Sequence, residues 1–563
     1  MLGTLFVLGS SAFLACSDMP SQNAAAPSDE PKETAEPAEG TPEAEPSLLL
    51  PSFDPRAKAV ERSSDGPTEL SLGYFPAPVT IPDLAQDRVP VVMAPILPAR
   101  FDLRTARKLN AVRNQGSCGS CWAFASLASG ESGLLPGETW NFSEEHVNLS
   151  HGFDVAPCDG GNAFMSMAYM TRGSGPVAES DIPYTGTVRP LGSSPSPKKY
   201  LKEGLVLPDR TSATDNDTLK SAIMTYGALY TTMRWTSAAF RTQTHAFYDA
   251  GPRQTANHAV DLVGWDDAFP AQSFVPGAPQ NGAFLVRNSW GTGFGQQGYF
   301  WVSYHDAYIG RSNVAFASFG APTEYDRIYG YDKLGQTTAL SYGTRQSFGA
   351  SVITAAGPGL LQSVGFYTAA RSATVTISVY EGTTTGPTTG TKLGTRQVDE
   401  PWAGYHTATL AGISAPLVKG RKYGIVIGVT YPQAPSYVPL EYPFSGYSSK
   451  VVAVPGTSFV SSNGSSWTDA AVVWRANTPI KTFVRTILDC DDKNACTVDL
   501  WDGTKCLHTT ARAGTSCRAA TGPCDVAEAC TGASTTCPRD QLLAKGRACA
   551  VNRTCNGTTK TCP

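Results

Sequence analysis

Gln115-Gly-Ser-Cys-Gly-Ser-Cys-Trp122 places a cysteine directly before a tryptophan at the end of a Gly/Ser-rich loop, and an apolar, alanine-rich run, Ala123 to Ala128, follows it. The pattern predicts a loop that feeds the N-terminus of a helix. There the helix dipole and unpaired backbone N–H groups stabilise a thiolate, which lowers the thiol pKa and makes Cys121 a nucleophile near neutral pH. Such a nucleophile needs a base, and the base needs an orienting group. His258 opens the apolar stretch Ala259-Val-Asp-Leu-Val-Gly-Trp265, which fits a buried strand. Asn288 follows Phe284-Leu-Val-Arg287 and stands just before Trp290, a side chain able to cover it.

Leu97-Pro-Ala-Arg-Phe-Asp-Leu-Arg104, Val112-Arg-Asn-Gln115, the Cys121 motif, Ser143-Glu-Glu145, Cys158-Asp-Gly-Gly161, the His258 segment and Asn288-Ser-Trp-Gly291 occur in that order. Together they resemble the papain family (C1) of cysteine peptidases. The resemblance implies a triad in which Cys121 attacks the scissile carbonyl as a thiolate and His258 forms the ion pair and then protonates the leaving amine. Asn288 would hold the imidazole, shielded by Trp290. Gln115 and the Cys121 backbone N–H would form the oxyanion hole, where one donor is typically worth about a hundredfold to a thousandfold in rate. Gly160 and Gly161 would let a substrate backbone approach with no Cβ in the way. Asn257 and Ala256 would border the pocket for the second residue upstream of the cut, suggesting a medium apolar side chain there. Cys118 and Cys158 match a pair that is disulfide-linked in the family, whereas Ser150 replaces a further cysteine. Extra length between His258 and Asn288 falls in Asp266 to Gly282, which reads as a loop insertion.

Other readings of the same residues are a thioredoxin-like Cys118-x-x-Cys121 redox pair, a disulfide half at Cys121, and a peptidase-like domain without activity. His, Asn and Gln in their expected contexts favour the peptidase.

The length of 563 residues suits about three to four domains. A net charge of -4 with only 16% charged residues carries no signature for nucleic acid, and plentiful Gly and aromatics suit an extracellular, β-rich chain. Ten of the fourteen cysteines lie from Cys490 onward, a disulfide framework that implies an oxidising compartment. Leu2 to Ala15 is the only long apolar run. It is too short to span a bilayer comfortably and reads as the core of an export signal. Its end, Phe13-Leu-Ala-Cys16, resembles a bacterial lipobox, in which Cys16 becomes lipidated after cleavage; ordinary cleavage nearby is the alternative.

The expected architecture is α+β. A signal segment over 1–16 precedes an acidic, Pro-rich, flexible tether over 17–69. Residues 70–96 read as extended, with Pro at intervals, lying on the peptidase surface or in its cleft as an inhibitory pro-segment, or serving as a linker. A two-lobed papain-like catalytic domain follows over 97–322. Its first lobe is mainly helical, with the Cys121 helix and Ala163 to Met170, and its second is β-barrel-like. Over 325–485, alternating runs such as Thr374-Val-Thr-Ile-Ser-Val-Tyr380 predict an antiparallel β-sandwich. Leu361-Gln-Ser-Val-Gly-Phe-Tyr367, Ser378-Val-Tyr-Glu-Gly382 and Gly420-Arg-Lys-Tyr-Gly-Ile-Val-Ile427 resemble the lectin-like domain that follows the catalytic domain in bacterial surface peptidases. Polysaccharide binding and a packing or spacer role both fit.

Residues 486–563 form a small disulfide-rich module, which needs such staples because its core is small. Cys524-Asp-Val-Ala-Glu-Ala-Cys530 and the cysteine spacing around it resemble disintegrin-type repeats, without an Arg-Gly-Asp tripeptide. Wide spacings and the exported context disfavour zinc. Asp489, Asp491, Asp492, Asn494 and Asp499 offer oxygen ligands for calcium, or form a solvated acidic turn, since the Gly and closing Glu of an EF-hand are missing. No catalytic cofactor or metal is expected. The whole reads as an exported, lipid-anchored cysteine endopeptidase acting on protein or peptide substrates. The competing reading is a surface adhesin whose proteolysis is vestigial or serves only maturation.

Overall fold

The Ala-rich run after Cys121 forms helix α1 (Cys121–Leu134), in which twelve of fourteen residues are buried. A helix apolar nearly all round is a buried one, and α1 runs between two lobes, one helical and one β-rich. The computed structural model describes residues 46–49, 62–63, 70–79, 96–252, 255–433, 435–486, 490–501 and 505–563. The expected signal segment with Cys16, and Asp489, lie outside the described residues.

Helices α2 (Glu144–Ser150) and α3 (Ala163–Thr171) complete the first lobe. Ser143 caps α2 by accepting from the His146 N–H, and Asn162 caps α3 by accepting from Phe164 and Met165. The second lobe holds β1 (Tyr200–Leu207), α4 (Asp217–Tyr226), β2 (Leu229–Met233), β3 (His258–Asp266), β4 (Ala283–Arg287), β5 (Tyr299–Ser303) and β6 (Arg311–Gly320). Its sheet runs in the order β1-β6-β2-β3-β4-β5. The expected insertion joins β3 to β4 and leaves their antiparallel pairing in place.

The sheet does not end with the second lobe. Strands β7 (Gln346–Thr354), β8 (Gly359–Thr368), β9 (Ala373–Glu381), β10 (Thr391–Glu400), β11 (Ala403–Thr409), β12 (Lys422–Thr430), β13 (Ser458–Ser461) and β14 (Lys481–Arg485) build a sandwich. One of its sheets is β10-β9-β12-β7-β13, and the other, β14-β8-β11, continues directly into β1. At that seam Ala403, Gly404 and Tyr405 pair with Val206, Leu205 and Gly204. Gly404 has φ +123, and a Cβ there would meet the Gly204 carbonyl oxygen at 2.0 Å, so only glycine permits the join. The sandwich core includes Val364, Val375, Ile377, Tyr423 and Ile425. Leu334, Tyr367, Tyr405, Tyr447 and Val451 instead share a buried cluster with the first catalytic lobe, including Trp122, Met165 and Tyr169.

Part of the stretch read as a flexible tether is ordered. Ser47 and Leu48 pair with Ser341 and Leu340, and the Leu49 N–H donates to the Ala339 carbonyl at 2.9 Å. Leucines that can cover sandwich core outweigh the disorder-promoting composition around them. The tail is held by disulfides Cys490–Cys506, Cys496–Cys530, Cys517–Cys537, Cys524–Cys555 and Cys549–Cys562, with short two-stranded ribbons between them.

Candidate active site

Cys121 is the first residue of α1, and His258 is the first residue of β3, which packs against that helix. The Cys121 sulfur accepts from the Ala259 N–H at 3.4 Å. His258 Nε2 bonds Asn288 Oδ1 at 2.9 Å, and the Trp290 ring stacks on the imidazole, centroids 4.7 Å apart and planes 17° off parallel. Asn288 Oδ1 also accepts from the Ser289 N–H at 2.8 Å, which fixes the amide's orientation. With Nε2 taken by Asn288, His258 Nδ1 has no hydrogen-bond partner among the described residues.

Gln115 is tied to the Asn288 loop at both its ends. Its N–H donates to the Ser289 carbonyl at 2.8 Å, and its Oε1 accepts from Ser289 Oγ at 2.6 Å. Its Nε2 donates to the Cys118 carbonyl at 2.9 Å, placing the amide beside the nucleophile loop. Cys118 and Cys158 are disulfide-bonded, and the Gly119 N–H donates to the Cys158 carbonyl at 3.1 Å, so that loop and the Gly160–Gly161 wall are held together.

A cluster of charges the sequence reading did not assign lies underneath. Arg113 Nη2 donates to both carboxylate oxygens of Glu131, each at 2.8 Å, and Nη1 donates to Glu144. Glu131 is on α1, Glu144 opens α2, and Arg113 stands two residues before Gln115. The cluster therefore locks the Gln115 loop to both helices. A lone glutamate in an otherwise apolar or small-residue helix was the available signal.

The cleft holds the chain's own Leu72–Phe75. The Gly161 N–H donates to the Gly73 carbonyl at 2.9 Å, the Phe75 N–H to the Gly161 carbonyl at 3.2 Å, and the Tyr74 N–H to the Asn257 carbonyl at 3.1 Å. The pairing of Tyr74 with Gly161 is parallel. The Gly73 backbone also donates toward the Cys121 sulfur. Tyr74 is buried, with its hydroxyl 3.3 Å from Ser312 Oγ. Asn257 meets this segment through its carbonyl. Its side chain turns inward to the Trp235 backbone, with bonds of 2.7 and 3.1 Å.

Burial reverses the electrostatics expected of an open cleft. It pushes the Cys121 thiol up to about 12, against the backbone donors that act to lower it, and holds His258 down to about 4, against the bond to Asn288. With the cleft filled, both groups are neutral near pH 7.

In the tail, Asp492 Oδ1 accepts from the Asn494 N–H and the Thr497 hydroxyl, and Asp499 bonds His508 Nδ1 at 2.7 Å.

Residues 97–318 match the model of the papain family of cysteine proteases, and residues 328–484 match that of lectin-like domains. A cysteine protease of Blomia tropicalis is 29% identical over 237 residues, 39% of this chain and 66% of its own length. Cathepsin B-like CP3 of Giardia intestinalis is 29% identical over 272 residues, 45% of this chain and 85% of that one. The chain thus spans about two thirds of the Blomia protein. Among solved structures, the protease and lectin-like domains of Cwp84, a surface layer associated protein of Clostridium difficile, share the fold at TM-score 0.62. They are 24% identical, with 74% of this chain and 93% of that one covered. The clostridial protease Cwp84 after propeptide cleavage superposes at TM-score 0.61 and 25% identity, over 69% of this chain and 99% of that one.

Proposed function

We propose, from the match of residues 97–318 to papain-family cysteine proteases and of residues 328–484 to lectin-like domains, that the protein is a cysteine endopeptidase, and from the Leu2 to Cys16 sequence that it is exported and lipid-anchored at Cys16. The observation that carries the reading is the bond between His258 Nε2 and Asn288 Oδ1, which leaves Nδ1 free for the thiol of Cys121. Five disulfides in the tail support export to an oxidising compartment.

In the open cleft, water reaches Cys121 and His258, the penalty on their charged forms falls, and the proton passes from Sγ to Nδ1. The thiolate attacks the substrate carbonyl carbon. The Cys121 N–H and the Gln115 amide receive the oxyanion, His258 returns its proton to the leaving amine, and water then hydrolyses the acyl-enzyme. Trp290 keeps the His258–Asn288 bond out of water. Gly161 offers its N–H and carbonyl to the substrate backbone, the groups that bond Gly73 and Phe75 here, and Gly160 leaves room beside it. Residues 70–96 act as a pro-segment, which the seating of Gly73, Tyr74 and Phe75 against Gly161 and Asn257 supports.

The test is hydrolysis of a mixed peptide library under mild reductant, with product ends read by mass spectrometry. Internal cuts that vanish in Cys121→Ala are expected. Cuts that persist in that variant, or none in either protein, would leave the second reading, an adhesin for a surface polysaccharide, which the lectin-like domain supports.

A further inference from the structure

We propose that the lectin-like domain completes the substrate cleft, with Tyr447 forming the wall of an upstream subsite that selects an aromatic side chain. The proposal rests on the peptidase reading above. Phe75 stands in for the substrate residue. Its N–H pairs with Gly161, and a Cβ built on Gly160 would lie 3.3 Å from its Cδ1, so its side chain lies over the glycine wall where a substrate backbone would run. The ring that meets it comes from outside the peptidase domain. Tyr447 approaches Phe75 edge-on, with centroids 6.1 Å apart and planes at 90°, the arrangement that aromatic quadrupoles favour.

Tyr447 is fixed from behind. Its hydroxyl donates to Asn162 Oδ1 at 3.3 Å, its carbonyl accepts from the Asp154 N–H at 2.9 Å, and Phe153 packs on it at 4.8 Å. Ser449 donates to the Asp154 carboxylate through both its N–H and its hydroxyl, each at 2.9 Å, and Lys450 Nζ donates to the Phe153 carbonyl at 3.0 Å. The wall is therefore preorganised against the Gly160–Gly161 loop. Tyr447 is 0% and Phe75 7% exposed, so an aromatic occupant shares a dry contact with this ring. A small occupant forfeits both the edge-to-face contact and the buried area.

The experiment compares full-length wild type, Tyr447→Leu and Tyr447→Phe. After processing under mild reductant, each is assayed on peptide pairs carrying Phe or Ala at each of three positions upstream of the cut. Wild type should prefer Phe at one of them. That Phe:Ala ratio of kcat/KM should fall roughly five- to tenfold in Tyr447→Leu and stay within about twofold in Tyr447→Phe, which keeps the ring. In parallel, amide exchange at Phe75 is followed in the unprocessed chain on a Cys121→Ala background, where Tyr447→Leu should accelerate it by a similar factor. An unchanged ratio together with unchanged exchange would overturn the proposal. Absence of turnover in wild type would overturn the peptidase reading instead, and exchange would still decide whether Tyr447 grips an aromatic here.

Discussion

Cys121, His258, Asn288 and Gln115 were legible because each sits in a short motif whose chemistry needs that residue type. The charge state of Cys121 and His258 was not, because it depends on a contact made by Leu72–Phe75, far from both in the chain. Gly73 is the residue that makes it. A Cβ there would lie 2.1 Å from the Gly119 carbonyl oxygen, a backbone atom that the neighbouring disulfide holds in place. Gly73→Ala should therefore lift Leu72–Phe75 off the sulfur without touching the triad. In the intact wild-type chain, where burial holds the thiol up to about 12, alkylation of Cys121 near neutral pH should be slow and should climb with pH. In Gly73→Ala it should be faster by on the order of tenfold or more, with its pH dependence moved toward acid. Equal alkylation rates in the two proteins would show that something other than this contact keeps the thiol neutral.

The apolar runs announced α1, β3 and β4, and the turn-punctuated alternation announced the sandwich. What links those elements was hidden, since a buried ion cluster joins residues distant in sequence. Arg113 is such a link, and burial pushes its partner Glu144 up to about 7 even though the guanidinium acts to hold it down. Arg113→Ala leaves Glu131 and Glu144 buried without a counter-charge, a loss of about 3 to 5 kcal/mol. The sign of its pH dependence follows. A carboxyl whose folded pKa lies above its unfolded one binds more protons when folded, so stability falls as pH rises between the two values. Without Arg113 that window extends further upward. Denaturant melts should show the variant losing more stability than wild type between mildly acidic and mildly alkaline pH. A deficit that shrank with rising pH would contradict the assignment of these carboxylates.

At the scale of the whole molecule, the sequence marks domain boundaries where the structure has a continuous sheet. Composition changes after β6 because the lectin-like strands face a different core, but hydrogen bonding across β1 and β11 does not follow composition. The only local signal was a pair of glycines, Gly204 and Gly404, unremarked among the many in this chain. The seam buries the edge of β1, and the first lobe shares its core with Tyr367, Tyr405 and Tyr447, so the two domains should unfold as one unit. Calorimetry on the full chain should then show a single transition for the catalytic and lectin-like domains, separate from that of the disulfide-stapled tail. Gly404→Val puts a branched side chain where even a Cβ would meet the Gly204 oxygen at 2.0 Å, in a backbone conformation that valine avoids. It should cost about 3 kcal/mol or more and divide that transition in two, because the seam fails while each core keeps its own packing. It should also weaken selection at the Phe75 subsite, since Tyr447 is carried on the same domain. One transition in Gly404→Val at an unchanged temperature would mean that the shared aromatic core, rather than the β1–β11 seam, holds the two domains together.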